Sequence, residues 1–412
     1  LPGMEGPINF TVLPRLARKT PTRILFLVMD GLGGCLGKGP TALQASKHPN
    51  LDALAARSAL GRTIQVLDGI TPGSGPGHLA LFGYDPLTVD VGRGLLEALG
   101  VGADVGPGDV AIRGNLCTVD AEGRVVDRRA GRIPTSQARP LIRQLAEAIP
   151  AIDDVMVEFH AGLQHRFAVV LRGPELGPDV DDTDSGEIGR PILSAYARNG
   201  AAARTASIAD QITRLAQETL AGREVANAVL LRGFAARPEI LSYRELAKLS
   251  GVAIAAYPAY RGVARLLGMH IVDTIEPGCP VRDEVDALTD VWGDDYDFYF
   301  LHVKGTDSAG EDGDLARKAQ VIEEVDEQLP RLLALEPDVI VVTGDHATPA
   351  PLRAHSWHGV PTILHGPWCE PDAETTFDEE ACQRGRLGAR LPATAILRLA
   401  FANAGKLVKY GA

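Results

Sequence analysis

Val339-Ile340-Val341-Val342-Thr343-Gly344-Asp345-His346 is a short apolar run that ends on a glycine and then delivers a carboxylate and an imidazole side by side. Continuous apolar runs of this length, bounded by Gly, are how strands covered on both faces read in a sequence. Two other runs follow the same plan: Ile24 to Met29 delivers Asp30, and Phe298 to Val303 leads into Asp307. In open α/β sheets the chemistry collects at the carboxyl ends of the strands, so the three runs place several carboxylates at one sheet edge. His355 follows soon after His346. Carboxylate oxygen and imidazole nitrogen together suit borderline divalent metals. Between the first two runs lies Gly73-Ser74-Gly75-Pro76-Gly77-His78, a glycine-rich turn that holds a hydroxyl and enters a helix-like stretch. Its glycines let backbone N–H groups approach a phosphate, and the helix adds its positive end. Metal ligands and a hydroxyl in one place point to phosphoryl chemistry.

The bulk composition fits a soluble enzyme of about two domains: 412 residues, 45% hydrophobic and 23% charged, punctuated by 45 Gly and 28 Pro. A net charge of −12 argues against nucleic acid or an anionic membrane as partner, because the field of the whole chain repels both. A small anionic substrate then requires a locally basic pocket. The sequence has no run of 18 apolar residues, and its N-terminal segment lacks the apolar core and cleavage site of a secretory signal. A cytoplasmic location is the default expectation. Cys35, Cys117, Cys279, Cys369 and Cys382 are scattered and odd in number, with no Cys-x-x-Cys pair. They read as packing thiols, not as a disulfide framework or a thiolate zinc site.

Along the chain, Ala42 to Ser58 reads as a helical stretch broken at Pro49-Asn50. Near Asp104 the texture changes. Val110 to Val119, the turn Ala121-Glu122-Gly123 and Arg124 to Asp127 read as a β-hairpin. A helix from Ser136, taken as its cap, to Ala148 follows, then the strand pair Val155 to Phe159 and Arg166 to Arg172. Ser207 to Leu220 and Ser242 to Leu249 read as helices, and parallel-sheet texture returns near Val252. The parse is an α/β metal-binding domain from residues 1–103 and 251–412, with a mostly parallel sheet covered by helices. A smaller α+β insertion, residues 104–250, interrupts it. Arg113, Arg128, Arg129, Arg132, Arg166, Arg232 and Arg261 fall mainly on hairpin and strand ends of or near the insertion, where guanidinium forks suit carboxylates and phosphates.

Asp30, Ser74 in Gly-Ser-Gly-Pro-Gly-His, Lys304-Gly-Thr-Asp307, Gly-Asp345-His346 and Ala-His355-Ser resemble the motif series of the alkaline phosphatase superfamily. The chain is more closely similar to the archaeal-type cofactor-independent phosphoglycerate mutases. Further matches are Arg113-Gly-Asn115, Asp127-Arg-Arg-Ala-Gly-Arg132, His165-Arg166-Phe, Asp182-Thr-Asp184 and Arg232-Gly. The likeness spans all but about twenty N-terminal residues. It implies an isomerase that interconverts 3- and 2-phosphoglycerate, takes no 2,3-bisphosphoglycerate and uses two divalent ions, manganese by preference and zinc or magnesium otherwise. One ion would be held by Asp30, Ser74, Asp345 and His346, the other by Asp307, His355 and the residue four after Asp307. Ser74 would be the nucleophile and Asp127 the base on the glycerate hydroxyl. The arginines Arg113, Arg128, Arg132, Arg166, Arg232 and Arg261, with Lys304, would hold a small phosphorylated substrate. Arg261 departs from the family, which commonly has lysine there. The sharper departure is Glu311, where relatives carry histidine. Glu311 is expected to ligate through oxygen, with substitution by His358 or a weak or empty second site as the alternatives. A phosphomonoesterase or phosphonate hydrolase using the same centre, and a catalytically impaired phosphoglycerate-binding protein, are the competing readings.

Overall fold

The computed structural model describes residues 8–293 and 295–411. In chain order, α1 (Ile8–Leu16), β1 (Ile24–Met29), α2 (Ala42–Ala45), α3 (Pro49–Ala55), β2 (Ala59–Ile64) and α4 (Ser74–Leu81) come first. Then follow α5 (Arg93–Gly100), β3 (Val110–Val119), β4 (Val125–Asp127), α6 (Thr135–Ala148), β5 (Ala151–Ile152), β6 (Val155–Ala161), β7 (Arg166–Arg172), α7 (Ala203–Thr219) and β8 (Ala228–Ala236). The next segment holds α8 (Tyr243–Ala247), β9 (Gly251–Ile254), α9 (Pro258–Leu266), β10 (His270–Ile271), α10 (Val281–Asp290) and β11 (Phe298–Val303). The chain closes with α11 (Gly305–Asp312), α12 (Leu315–Ala334), β12 (Val339–Thr343), β13 (Val360–His365), α13 (Glu379–Arg384), β14 (Gly388–Pro392) and α14 (Ile396–Asn403). No helix of the described residues is long and apolar enough to cross a membrane.

These elements form two compact units. The first comprises the chain up to Asp90, Ile240–Tyr257 and the chain from Ala264 onward; the second comprises Val91–Glu239 with Pro258–Val263. The crossings thus fall earlier than the 103/104 and 250/251 of the sequence parse. The first moves because α5 packs on β3 and β8 and so belongs to the second unit; the second moves because α8 packs on α1 and so belongs to the first.

In the first unit an eight-stranded sheet runs β10-β9-β11-β1-β12-β13-β2-β14. The three runs that end in aspartates are its three central neighbours. β1 pairs in parallel with β11, Ile24 opposite Phe298, and with β12, Ile24 opposite Val339. All three strands are buried along their length. Equal register brings Met29 level with Val303 and Val28 level with Thr343, so the carboxyl ends stop at one line. β13 runs antiparallel to β12 and β2, while β14 is parallel to β2. The sequence reading did not foresee these three outer strands. Gly61, Arg62 and Pro361 interrupt their apolar pattern, and β-propensity is a weak guide at such positions.

The second unit is an antiparallel sheet of order β4-β3-β7-β6-β5, with β8 on β3. Its core gathers Ile112, Phe167, Val169 and Leu231 from the sheet with Leu141, Ile142, Leu145 and Ile212 from α6 and α7. The expected hairpin exists, with Thr118 opposite Asp127, and so does the β6–β7 pair. Ser136 is not the cap of α6. That helix starts at Thr135 after Pro134, and the Thr135 hydroxyl instead accepts the N–H of Gln164.

Candidate metal centre

Two groups of potential metal ligands stand at the carboxyl ends of the central strands: Asp30, Asp345 and His346, all buried, and Asp307, His346 and His355. Their placement follows from local structure. Asp30 follows β1, Asp345 and His346 follow β12, and Asp307 lies in the first turn of α11, which resumes the chain after β11. Ser74 is the first residue of α4, whose N-terminus no side chain caps, so its orphan N–H groups are open to an anion. Gly77 is required for this arrangement, because a Cβ there would lie 2.1 Å from the carbonyl oxygen of Asp345. The close approach sets Ser74 Oγ 3.4 Å from His346 Nε2.

The hydrogen bonds fix which nitrogen of each histidine faces the centre. Thr348 Oγ1 donates its one hydrogen to Asp307 Oδ1 at 2.6 Å, so it accepts from His346 Nδ1 at 3.1 Å. His346 Nε2 therefore presents a lone pair, 3.3 Å from Asp30 Oδ1 and 3.2 Å from Asp345 Oδ2. Those same two oxygens are buried and make no hydrogen bond. Three potential ligand atoms face one another in the protein interior, an arrangement that a divalent cation between them would satisfy. His355 is set in the same way: Nδ1 donates to the carbonyl of Pro72 at 3.2 Å, which leaves Nε2 towards Asp307 Oδ1 at 3.6 Å. The donor set thus fits divalent metal.

Charge around the centre is finely opposed. Burial alone would raise Asp30, but Lys304, His302 and His346 outweigh it and hold its carboxyl well below the usual range. For Asp345, burial and the Asp30 charge push upward, and His346 and His78 bring it below the ordinary value. Lys304 Nζ reaches both Asp30 and Asp307 Oδ2, a single cation bridging carboxylates of the two groups. His302 Nε2 lies 3.2 Å from Asp30 Oδ2, and His78 Nδ1 lies 3.2 Å from Asp345 Oδ2.

The arginines of the second unit divide into two kinds. Arg128 makes a two-pronged pair with Asp184, at 2.9 Å and 2.7 Å. Arg232 leans on the same carboxylate at 3.3 Å and on Asp182 at 3.4 Å. Arg113 and Arg166, by contrast, each have a buried Nε without a hydrogen-bond partner, as do Asn115 Oδ1 and His165 Nδ1. Arg113 Nε is 3.9 Å from buried Glu97, a carboxyl that burial raises. Burial and then the nearby arginines 166, 113, 129 and 132 push His165 down to about 4, the mark of a site starved of anions. Arg132 is exposed, and Arg261 is half-buried on α9. Asp127 is engaged locally, accepting the N–H groups of Arg129 at 2.7 Å and Gly131 at 2.6 Å.

Comparison with known proteins agrees with this geometry. Residues 55–226 match the family described as 2,3-bisphosphoglycerate-independent phosphoglycerate mutase. A probable member from Thermus thermophilus is 49% identical over 405 residues, spanning 98% of this chain and 99% of its own. The chain belongs to this family. Another probable phosphoglycerate mutase of the kind, from Thermotoga neapolitana, is 47% identical over 97% of this chain and 98% of its own. Among solved structures, the cofactor-independent phosphoglycerate mutase of Thermoplasma acidophilum superposes with a TM-score of 0.69 at 29% identity. It covers 93% of this chain and all of that one.

The position four after Asp307, where the motif resemblance implies histidine, is Glu311. Its carboxylate lies on the rim, 55% exposed, with Oε1 3.7 Å from His355 Nε2. His358 is turned elsewhere: its Nδ1 meets Ser356 Oγ at 2.9 Å and its Nε2 meets Cys35 Sγ at 3.3 Å. Sequence reasoning missed the roles of Thr348, His302 and Lys318. A histidine inside the apolar run of β11 was the one available signal, since a strand interior has no other use for it.

If the three facing lone-pair donors await a cation, manganese at a hundredfold its Kd should stabilise chelator-treated protein by about 2.7 kcal/mol. Thermal unfolding should show that rise in wild type and in Asp312→Asn, an exposed control on α11, and lose it in Asp30→Asn. A melting temperature indifferent to manganese would contradict the assignment.

Proposed function

We propose that this protein interconverts 3-phosphoglycerate and 2-phosphoglycerate, without 2,3-bisphosphoglycerate, by carrying the phosphoryl group transiently on Ser74. The observation that supports the reading is the convergence of the Ser74 hydroxyl, at an uncapped helix start, on the Asp/His groups at the sheet edge. Asp30, Asp345 and His346 with Ser74 would hold one divalent ion, and Asp307 and His355 with Glu311 a second. Such ions, manganese foremost, lower the pKa of a serine hydroxyl and neutralise charge that develops on phosphoryl oxygens.

The residues of the chain divide the remaining work. Ser74 Oγ attacks phosphorus, forming the Oγ–P bond as the bond from phosphorus to the glycerate C3 oxygen breaks, and the proton lost by the serine hydroxyl ends on that C3 oxygen. The N–H groups of the first turn of α4 receive phosphoryl oxygens. Lys304 supplies positive charge between the two carboxylate groups it bridges. Arg113 and Arg166, with guanidinium donors unspent, take the glycerate and keep it through the intermediate, while Arg128 and Arg232 are oriented by Asp182 and Asp184. Arg132 and Arg261 add charge to the same substrate. The glycerate 2-hydroxyl then attacks phosphorus and passes its proton to Asp127 as the Oγ–P bond breaks; Asp127 yields the proton to solvent and the Ser74 hydroxyl is restored.

Mass spectrometry of acid-quenched enzyme mixed with 3-phosphoglycerate should find phosphate on Ser74, and Ser74→Ala should lose essentially all transfer. Phosphate on a histidine would overturn the scheme. A site completed by Glu311 favours oxygen-loving ions. Glu311→Ala should therefore lose the second manganese from the stoichiometry, and Glu311→His should gain zinc affinity; unchanged manganese binding in Glu311→Ala would show that the carboxylate is not a ligand.

A further inference from the structure

Lys318 on α12 is buried to 1% exposure, and burial lowers its ammonium to about 8. Lysine in such a place is costly unless every donor is used. Its Nζ donates to three backbone carbonyls: Gly31 at 2.7 Å, Thr348 at 2.8 Å and, more weakly, Gly33 at 3.4 Å. No carboxylate of the described residues lies within ion-pair distance of it; the nearby buried Glu379 instead accepts the N–H of Gly34 and the hydroxyl of Thr41. A charge spent wholly on main-chain oxygens acts as a clamp on the segments that own them.

Those segments carry the metal groups. Gly31 and Gly33 belong to the loop that leaves Asp30, and Thr348 sits two residues after His346. Thr348 also donates to Asp307 and receives His346 Nδ1, so the clamped residue orients one ligand in each group. Direct bridges between Leu32 or Gly33 and Ala347 tie the same two loops. Gly31 permits the closeness: it has a φ of +63°, and a Cβ there would fall 2.5 Å from Thr348 Oγ1 and 2.7 Å from Asp307 Oδ1. One ammonium therefore holds the Asp30 loop against the His346 loop from behind.

We infer that Lys318 is a positioning residue that fixes the two metal groups relative to each other, so that both ions bind as one coupled pair. The inference rests on the two-ion reading above, and it concerns how the ligands are held, not which they are. Methionine matches the length and apolar stem of lysine but removes the donors. Lys318→Met should weaken the second manganese about tenfold or more, the range seen when outer partners of metal ligands are lost. It should also diminish the spin-coupled signal of a manganese pair in electron paramagnetic resonance. Val325→Ala, a core truncation on the same helix, controls for lost stability and should keep the coupled signal. Lys318→Arg, which keeps charge and donors, should recover part of it. A coupled pair of unaltered affinity and spectrum in Lys318→Met would overturn the inference, as would an equal loss in Val325→Ala. A wild type that binds a single manganese would instead remove the two-ion reading, and the inference with it.

Discussion

The constraint on which the centre depends is electrostatic. Asp30, Asp345 and His346 bring two carboxylate oxygens and an imidazole nitrogen together inside the protein, and Asp30 Oδ1 and Asp345 Oδ2 are buried with no hydrogen bond of good geometry. Buried anions are among the most costly features a fold can carry; Lys304 and His78 offset part of that cost from within the chain, and a divalent cation at the candidate site would offset the rest. The same convergence gives the Ser74 hydroxyl its neighbours.

The rest of the first unit serves this geometry. Parallel pairing at equal register stops β1, β11 and β12 at one level, and each strand then leads into a loop or helix that turns a ligand inward. Thr348 and Lys318 act behind the ligands. The hydroxyl decides the tautomer of His346, and the ammonium spans the loops that carry the two groups. The second unit solves a different problem: Asp182 and Asp184 steady two arginines, while Arg113 and Arg166 keep donors in reserve.

Much of the centre was legible in the sequence because strand ends and glycine turns have strong signatures. The runs ending at Asp30, Asp307 and Asp345 read directly as buried strands, and the glycines around Ser74 as a close approach. What was hidden depended on contacts distant in sequence. Lys318 lies on an amphipathic helix where lysine ordinarily faces water, and only the fold shows that it points at Gly31 and Thr348. The arginines all looked alike until tertiary structure hydrogen-bonded Arg128 and Arg232 to acids and left the Nε of Arg113 and of Arg166 without a hydrogen bond. Asp127 read as a base, and the structure shows it also closing the turn at Arg129 and Gly131. The boundary near residue 104 was misplaced for a related reason: α5 has an ordinary helical pattern, and its allegiance is set by packing on β3 and β8.

The central claim is that buried metal groups, not a phosphorylated cofactor, make Ser74 competent. The most direct measurement is turnover of 3-phosphoglycerate, coupled to enolase, by protein stripped of metal and supplied with no 2,3-bisphosphoglycerate. The account predicts no turnover in the stripped protein and full recovery on addition of manganese alone. Turnover that persists without metal, or that returns only when 2,3-bisphosphoglycerate is added, would contradict it.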